Sequence, residues 1–273
     1  MTRATLFLLL CFGVGLSSTS GQTTPDKSAT RKTLDLAANP KLLTTHFSRY
    51  GFQPLKTIQK DWGGVRIQLP ETGRKMEQTG IYSYFAMAGD FEVIAGFEIL
   101  DLPEPGPGYG ASVGIGVDSD PPDNIKLSLH RGNFPKRGNG FWVTIAKENG
   151  DKKEIDSQFF PGNGESGKLT LKREKDVVIC LVADDYKKQE KELVRIPFTS
   201  RPIRVVRAFA DNGGTQAEME ARIVGIKLAA NQVTGGIPEV QGTDYGWLIW
   251  PLGTLAIFGL GYLLWKKSFR GET

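Results

Sequence analysis

Short apolar segments with a two-residue period run through the middle of this sequence and restrict the chain to a β fold. In residues 65–69 (VRIQL), aliphatic side chains alternate with polar ones, and residues 125–129, 141–145, 169–172 and 203–209 repeat the pattern. Strict alternation is typical of a strand with one face on a core and the other in water. No segment shows a convincing amphipathic helical period. We therefore predict an all-β antiparallel sandwich.

Turn residues agree with this interpretation, because Gly, Pro, Asn or Asp bounds almost every apolar run. Asn149-Gly150 and Asn212-Gly213 are typical hairpin signals. In total we expect about eleven to thirteen strands. Further strands are expected at residues 83–87, 91–100, 111–117, 177–183, 192–196 and 221–228.

The two ends of the chain predict export and a membrane anchor. Residues 1–21 place Arg3 before an apolar run and then small residues, as in a secretory signal peptide. Residues 245–265 carry no charge and are long enough, at about 1.5 Å per residue, to span a ~30 Å hydrocarbon layer. A basic cluster follows in residues 266–273, which predicts a cytoplasmic tail. We expect the rest of the chain to lie outside the cytoplasm, in a periplasm or at the cell surface.

Between these ends we expect a polar lead-in (22–45), a β-sandwich ectodomain (46–228) and a stalk (229–244). The net charge of the chain is +4, and removing Arg3 and the three basic and two acidic residues of 244–273 leaves about +2. A balance so near neutral argues against nucleic acid as a partner. Cys180 stands alone in an apolar run of the ectodomain, which predicts a buried structural thiol and no internal disulfide.

Several segments resemble a known fold. Residues 89–99, which contain GDFEV and then GFEI, look like paired strands of the concanavalin A-like lectin/glucanase sandwich. The hairpin of residues 167–182 (GKLTLKR followed by VVICLV) and the strand at 220–227 are similar to parts of the same fold. The resemblance implies a two-sheet jelly roll over roughly residues 60–228. With its two ends, the chain further resembles a family of exported planctomycete-type bacterial proteins. The fold hosts many functions, so activity stays open.

The segment of residues 130–142 is the best candidate for a binding surface. It combines basic, amide and aromatic side chains with glycines, a mixture that stacks on sugars and hydrogen-bonds their hydroxyls. The alternative is a solvated hairpin loop in which Phe141 or Trp142 belongs to the core, and one of these two neighbours should point outward. Carbohydrate is the ligand that the fold resemblance implies. The expected contacts are Tyr109, Arg131, Asn133 and Trp142.

An acidic series supplies the candidate catalytic residues Glu98, Asp101 and Glu104. Glucanases of the resembled fold carry their carboxylates on one strand and one face, and retaining hydrolysis needs them about 5–5.5 Å apart. Here the three-residue spacing puts Glu98 and Asp101 on opposite faces unless a bulge intervenes. Prolines at 103 and 105 also interrupt the strand. We therefore expect a non-catalytic protein and keep a glycoside hydrolase or lyase as the alternative.

One loop suggests a cation. Carboxylate and amide oxygens are hard ligands that suit calcium, although the two prolines in this loop fit an ordinary rigid turn equally well. The candidate ligands are Asp118, Asp120, Asp123 and Asn124.

Taken together, these features predict a membrane-anchored extracytoplasmic binding module for carbohydrate or envelope glycan. A structural envelope protein that pairs with another protein is the third possibility.

Overall fold

A computed structural model describes residues 32–35, 38–39, 41–61, 64–71, 78–104, 108–150, 152–186, 188–214 and 217–235. The predicted signal peptide (1–21), membrane helix (245–265) and tail (266–273) lie outside the described residues, as do residues 236–244 of the predicted stalk. Residues 229–235 belong to a strand, which corrects the predicted start of the stalk. Within the described ranges, no helix has the length and apolar character needed to cross a membrane.

The described part consists of fifteen strands and two short helices. In chain order they are β1 (Lys32–Asp35), α1 (Lys41–His46), β2 (Phe47–Tyr50), α2 (Pro54–Thr57), β3 (Ile58–Asp61), β4 (Gly64–Leu69), β5 (Thr79–Ser83), β6 (Phe85–Asp101), β7 (Ala111–Ser119), β8 (Ile125–Phe134), β9 (Gly138–Asn149), β10 (Lys152–Pro161), β11 (Ser166–Glu174), β12 (Val177–Ala183), β13 (Lys191–Pro197), β14 (Ile203–Asp211) and β15 (Met219–Gly235).

The strands form two antiparallel sheets, one of eight strands and one of seven. Sheet A has the order β13-β12-β11-β6-β15-β4-β3, with β1 beside the second half of β15. Sheet B has the order β10-β9-β8-β7-β14-β5-β2. A single register pair, Ile203 with Met87, joins the two sheets in the described part of the chain. The architecture confirms the predicted all-β antiparallel sandwich.

The core lies between the sheets and is built from the alternating apolar positions. Val113, Ile115 and Val117 point inward from β7, and Phe91 and Val93 do so from β6; all five are at most 1% exposed. Burial of such side chains contributes roughly 1.5–3 kcal/mol each and is the main source of stability for the described sandwich. Cys180 is buried in the same core as a free thiol, as predicted.

The strands that the sequence pattern did not reveal lie mainly at sheet edges. Among the described residues strand β10 pairs with β9 alone, and its first seven residues are exposed, so no apolar period marks it. Strands β2 and β3 are four residues each and contribute few buried side chains. An edge strand needs no continuous apolar face, so hydrophobic patterning underestimates the number of strands.

Arg173 lies at the end of the predicted β11–β12 hairpin and links β6 to the segment before β14. Its side chain is buried and donates hydrogen bonds to the carbonyl oxygens of Gly89, Thr199 and Arg201. The guanidinium carbon lies 4.8 Å from the centroid of the Phe91 ring. These bonds connect a strand of sheet A to the segment that leads into sheet B.

Candidate ligand-binding face

The outer surface of sheet B carries an unusual set of polar and aromatic side chains. Val113, Ile115 and Val117 of β7 point into the core, so the residues between them face outward. The strand registers align these outward residues with side chains of the neighbouring strands. One row contains Phe159, Trp142, His130, Gly114, Phe209, Gly80 and Tyr50, and the next contains Ser157, Thr144, Ser128, Gly116, Arg207, Tyr82 and Ser48. We call this surface the sheet B face.

Two glycines of β7 make room for larger neighbours on this face. A Cβ at Gly114 would lie 2.9 Å from Cζ of Phe209, so the phenyl ring occupies the space above that glycine. A Cβ at Gly116 would lie 3.6 Å from Nη2 of Arg207, whose guanidinium lies across this second glycine. Phe209 is buried, whereas Trp142 keeps part of its surface in solvent. The centre of the sheet B face is therefore its least exposed part, and we call this shielded centre the recess.

A guanidinium group occupies the middle of the recess. Nη2 of Arg207 donates to Oδ1 of Asp118 at 2.7 Å, and Nη1 donates to Oε1 of Gln78 at 3.3 Å. The side chains of Arg207 and Asp118 are only 21% and 12% exposed, so the ion pair is largely shielded from solvent. Charges shielded in this way interact more strongly than charges in water.

Two polar atoms in this region, the hydroxyl of Tyr50 and Nε of Arg207, are buried and make no hydrogen bond of good geometry among the described residues, although the Arg207 side chain lies close enough to the phenol to oppose the rise of its pKa. Burial raises the pKa of Tyr50; the charge of Arg207 opposes this effect and that of Asp118 adds to it, so the phenol stays protonated. A buried polar group without a partner costs about 1–3 kcal/mol. A buried polar group without a hydrogen bond needs an explanation, such as a bound ligand, a water molecule or a structural constraint. The recess thus keeps two hydrogen-bonding groups unused.

His130 lies beside this cluster as a neutral ring. Its two nitrogens lie 3.2 Å from Oγ of Ser112 and 2.8 Å from Oγ of Ser128, and its centroid is 5.1 Å from that of Phe209. Burial, assisted by the charge of Arg207, lowers the pKa of His130 from 6.5 to about 4. At neutral pH the ring therefore adds no charge to the face.

Aromatic side chains lie on both sides of the polar centre. On one side, the ring centroids of Phe134, Trp142 and Phe159 are 5.1–6.0 Å apart, as in stacked or edge-on pairs. On the other side, the rings of Tyr50 and Tyr82 are 6.0 Å apart. The aromatic rings can pack against apolar surfaces of a ligand, and the polar groups between them can form hydrogen bonds to the same ligand.

Of the predicted contact residues, only Trp142 lies on the sheet B face. Phe141 is 1% exposed and faces the core, so the prediction that one of the two neighbours points outward is confirmed. Tyr109 is 78% exposed in the segment that precedes β7. The four residues are therefore not brought together as one site.

Arg131 and Asn133 correct the prediction of a surface loop at residues 130–142. They belong to the β8–β9 hairpin, whose turn covers only residues 135–137, and they are 2% and 8% exposed. Nε of Arg131 donates to the carbonyl of Gly164 at 2.8 Å, and its other nitrogens donate to Oδ1 of Asn139 at 3.3 Å. Arg131 points inward because it is adjacent in sequence to His130, which points outward. Its hydrogen bonds therefore stabilise the folded chain and are not directed at a ligand.

The predicted catalytic carboxylates lie on sheet A. A register shift between β6 and β15 leaves Leu100 as an extra residue, which is the bulge that the spacing argument required. Glu98 and Asp101 therefore share the outer face, which is the exception that the predicted spacing allowed. However, the carboxylate of Glu98 forms an ion pair with Arg222. Glu104 follows the end of β6 and is exposed.

The predicted calcium loop is held by arginines of the protein itself. The expected ligands were Asp118, Asp120, Asp123 and Asn124. Asp118 pairs with Arg207, and Oδ2 of Asp123 accepts the Thr199 hydroxyl at 2.6 Å and lies 3.4 Å from Nε of Arg201. Among the residues that the structure describes, no three His, Cys, Asp or Glu side chains are grouped as a metal site requires. The geometry therefore does not assemble the expected calcium site.

Comparison with known proteins adds a family and a fold. The family model described as "Protein of unknown function (DUF1583) C domain" matches residues 23–243. The chain belongs to this family. No curated protein sequence matches it.

Two solved structures with the same fold illustrate the architecture. The legume lectin-like domain from Entamoeba histolytica superposes with a TM-score of 0.50 at 13% identity, covering 70% of this chain and 92% of that one. The CBM2 module of the evolved Dit of Lactobacillus casei BL23 phage J-1 superposes with a TM-score of 0.50 at 7% identity, covering 73% and 96%. The resemblance to the legume lectin-like, concanavalin A-like sandwich is thereby confirmed as a statement about fold.

The central residues of the sheet B face were not singled out from the sequence. Arg207 lies at a polar position of a predicted alternating strand, so its outward direction could be predicted. Tyr50 belongs to a short edge strand without a pattern of its own. Tyr50 and Arg207 are 157 positions apart in the sequence, and this spacing does not indicate that they are neighbours. Only the strand order β7-β14-β5-β2 brings them together.

Proposed function

We propose that this chain is an extracytoplasmic carbohydrate-binding module that uses the sheet B face, tethered to a bacterial membrane by its predicted C-terminal helix. The observation that carries the proposal is the pair of unused polar groups, the Tyr50 hydroxyl and Nε of Arg207, between aromatic clusters. Two structures with this fold, a legume lectin-like domain and a CBM2 module, support it.

The chemistry of the face suits a sugar. If the side chains that shield these atoms move on binding, a sugar hydroxyl can accept a hydrogen bond from Nε of Arg207 and exchange one with the Tyr50 hydroxyl, which both donates and accepts. The apolar face of a sugar ring can pack on Trp142, which is partly exposed. Because Asp118 balances the charge of Arg207 and His130 is neutral, we expect the preferred ligand to be an uncharged glycan.

A glycoside hydrolase is the second candidate, and the bulge at Leu100 is the observation that favours it. It places Glu98 and Asp101 on one outer face, as paired carboxylates require. The ion pair between Glu98 and Arg222 opposes this role because it holds the carboxylate in a salt bridge. Release of reducing ends by the wild-type chain, and its loss in Glu98→Gln, would favour the hydrolase over the binding module.

The test of binding is a glycan array probed with the purified full-length chain in detergent, with calcium and then with chelator. We expect selective binding to neutral glycans that persists in chelator, since Asp118 is engaged by Arg207. Trp142→Ala should abolish binding. Leu100→Ala, which changes a 43% exposed side chain on sheet A, is the matched control and should bind as the wild type does. Absence of binding to every glycan, or full binding by Trp142→Ala, would refute the proposal.

The tether requires a separate experiment. The full chain should sediment with membranes after cell lysis, and a chain that ends at residue 243 should be released. If both forms are released, the predicted anchor does not hold the protein.

A further inference from the structure

The outer face of sheet A contains a groove of about 420 Å³ that is separate from the sheet B face. Its volume falls within the roughly 300–1,000 Å³ typical of small-molecule sites. The side chains and backbone that line it include Gly96, Lys168, Tyr186, Lys188, Val224 and Lys227. None of these residues takes part in the function proposed above.

Tyr186 forms a fixed aromatic surface across the groove floor. A Cβ at Gly96 would lie 2.9 Å from Cε1 of Tyr186 and 2.5 Å from the carbonyl oxygen of Val224, so only glycine leaves space for the ring. The Tyr186 hydroxyl donates to the carbonyl of Phe97 at 2.7 Å. The ring is therefore held in position from both its face and its tip.

A β-bulge directs Lys227 towards the same groove. The register of β15 against β6 shifts between Val224 and Ile226, and Gly225 adopts a positive φ of 66° at that point. After the shift Lys227 lies opposite Ile94, so Val224 and Lys227 share the outer face although they are three positions apart. Bulges commonly redirect a side chain beside a functional surface.

The groove has an excess of positive charge. Lys168 lies opposite Gly96 in the β11–β6 register, and Lys188 follows in the segment after β12. Within the described ranges, neither of these lysines forms an ion pair, whereas Nζ of Lys227 lies 3.1 Å from Asp35. The one carboxylate of the lining, Glu190, accepts a hydrogen bond from the Thr170 hydroxyl at 2.5 Å. Two ammonium groups thus remain for a ligand.

We propose that this groove binds an acidic saccharide, with Lys168 and Lys188 contacting its carboxylate or sulfate and Tyr186 packing on the sugar ring. Lysine ammonium groups bind anions as point charges, and a phenol ring provides an apolar surface with a polar tip. The preference differs from that of the sheet B face, where Asp118 neutralises Arg207. The protein would then hold two glycans of different charge on opposite sheets.

The test uses the full-length chain in neutral detergent and measures binding of fluorescent oligogalacturonate, heparin oligosaccharide and a neutral cello-oligosaccharide by anisotropy. We expect one or both acidic probes to bind, with an affinity that falls as salt rises. The double variant Lys168→Gln/Lys188→Gln should weaken this binding by about tenfold, which corresponds to about 1.4 kcal/mol for the two lost contacts together. Trp142→Ala should leave it unchanged, which separates the groove from the sheet B face.

A matched control distinguishes a site from general charge attraction. Lys152→Gln/Lys153→Gln removes the same charge from two exposed residues of β10, on the other sheet. It should bind the acidic probes as the wild type does, and all variants should melt at similar temperatures because the altered side chains are at the surface. Equal losses in both double variants, no loss in Lys168→Gln/Lys188→Gln, or binding only to anionic phosphatidylglycerol vesicles would each overturn the proposal.

Discussion

Acidification should destabilise this protein through His130 before it protonates most carboxylates. Burial lowers the pKa of His130 from 6.5 to about 4 in the folded state, so between these values the unfolded chain binds a proton that the folded chain does not. Stability therefore falls as the pH decreases from 6.5 to 4. A shift of this size corresponds to at most about 3 kcal/mol, because the ring keeps part of its surface in solvent. That is a large part of the roughly 5–15 kcal/mol typical of a domain.

Urea denaturation at a series of pH values measures this effect, with His130→Gln as the reference. Glutamine can still hydrogen-bond Ser112 and Ser128 but does not titrate. Glu148, whose pKa the hydrogen bond from Lys126 lowers, titrates at lower pH in both proteins and cancels in the comparison. The free energy of unfolding of the wild type should fall by up to about 3 kcal/mol relative to that of the variant as the pH decreases from 6.5 to 4. Parallel curves across that window would refute the reasoning.

Two further predictions concern buried groups. Arg173→Met should cost about 3 kcal/mol in denaturant unfolding, because the carbonyl oxygens of Gly89 and Arg201 lose their donor; a cost below about 1 kcal/mol would show that water replaces the guanidinium. Burial raises the pKa of Cys180 to about 12, so in a Cys11→Ser background the thiol should react with a disulfide reagent only in denaturant. Rapid labelling of the folded chain would contradict its burial.

The architecture was predictable because the core obeys a two-residue period. The runs around Val65, Leu127 and Leu169 identified strands whose alternate residues the structure buries. Strand β10 has no such period because its residues are exposed along most of its length. Patterning thus detects strands in proportion to the apolar surface that they bury.

The candidate site was much less predictable, for two physical reasons. Adjacent residues on a strand face opposite ways, so a segment rich in binding-type side chains divides between core and surface, as Arg131 and Trp142 show. The site itself assembles from the sheet order β9-β8-β7-β14-β5-β2, which places strands that are distant in sequence side by side. A single sequence contains no direct signal of that order.

A glycan identified on the array allows the most direct test of the sheet B face. Calorimetric titration of wild type and Tyr50→Phe would compare affinity, and denaturant unfolding would compare stability. Removing a hydroxyl that has no partner among the described residues should leave the free energy of unfolding unchanged or raise it by about 1 kcal/mol. The same change should weaken glycan binding by about tenfold.

Tyr186→Phe is the matched control on the opposite sheet. It loses the hydrogen bond to the carbonyl of Phe97 and should therefore lower stability by about 1 kcal/mol without changing affinity for the neutral glycan. Weaker binding by Tyr50→Phe together with undiminished stability is the result that the account predicts. Equal glycan affinity of wild type and Tyr50→Phe would contradict it.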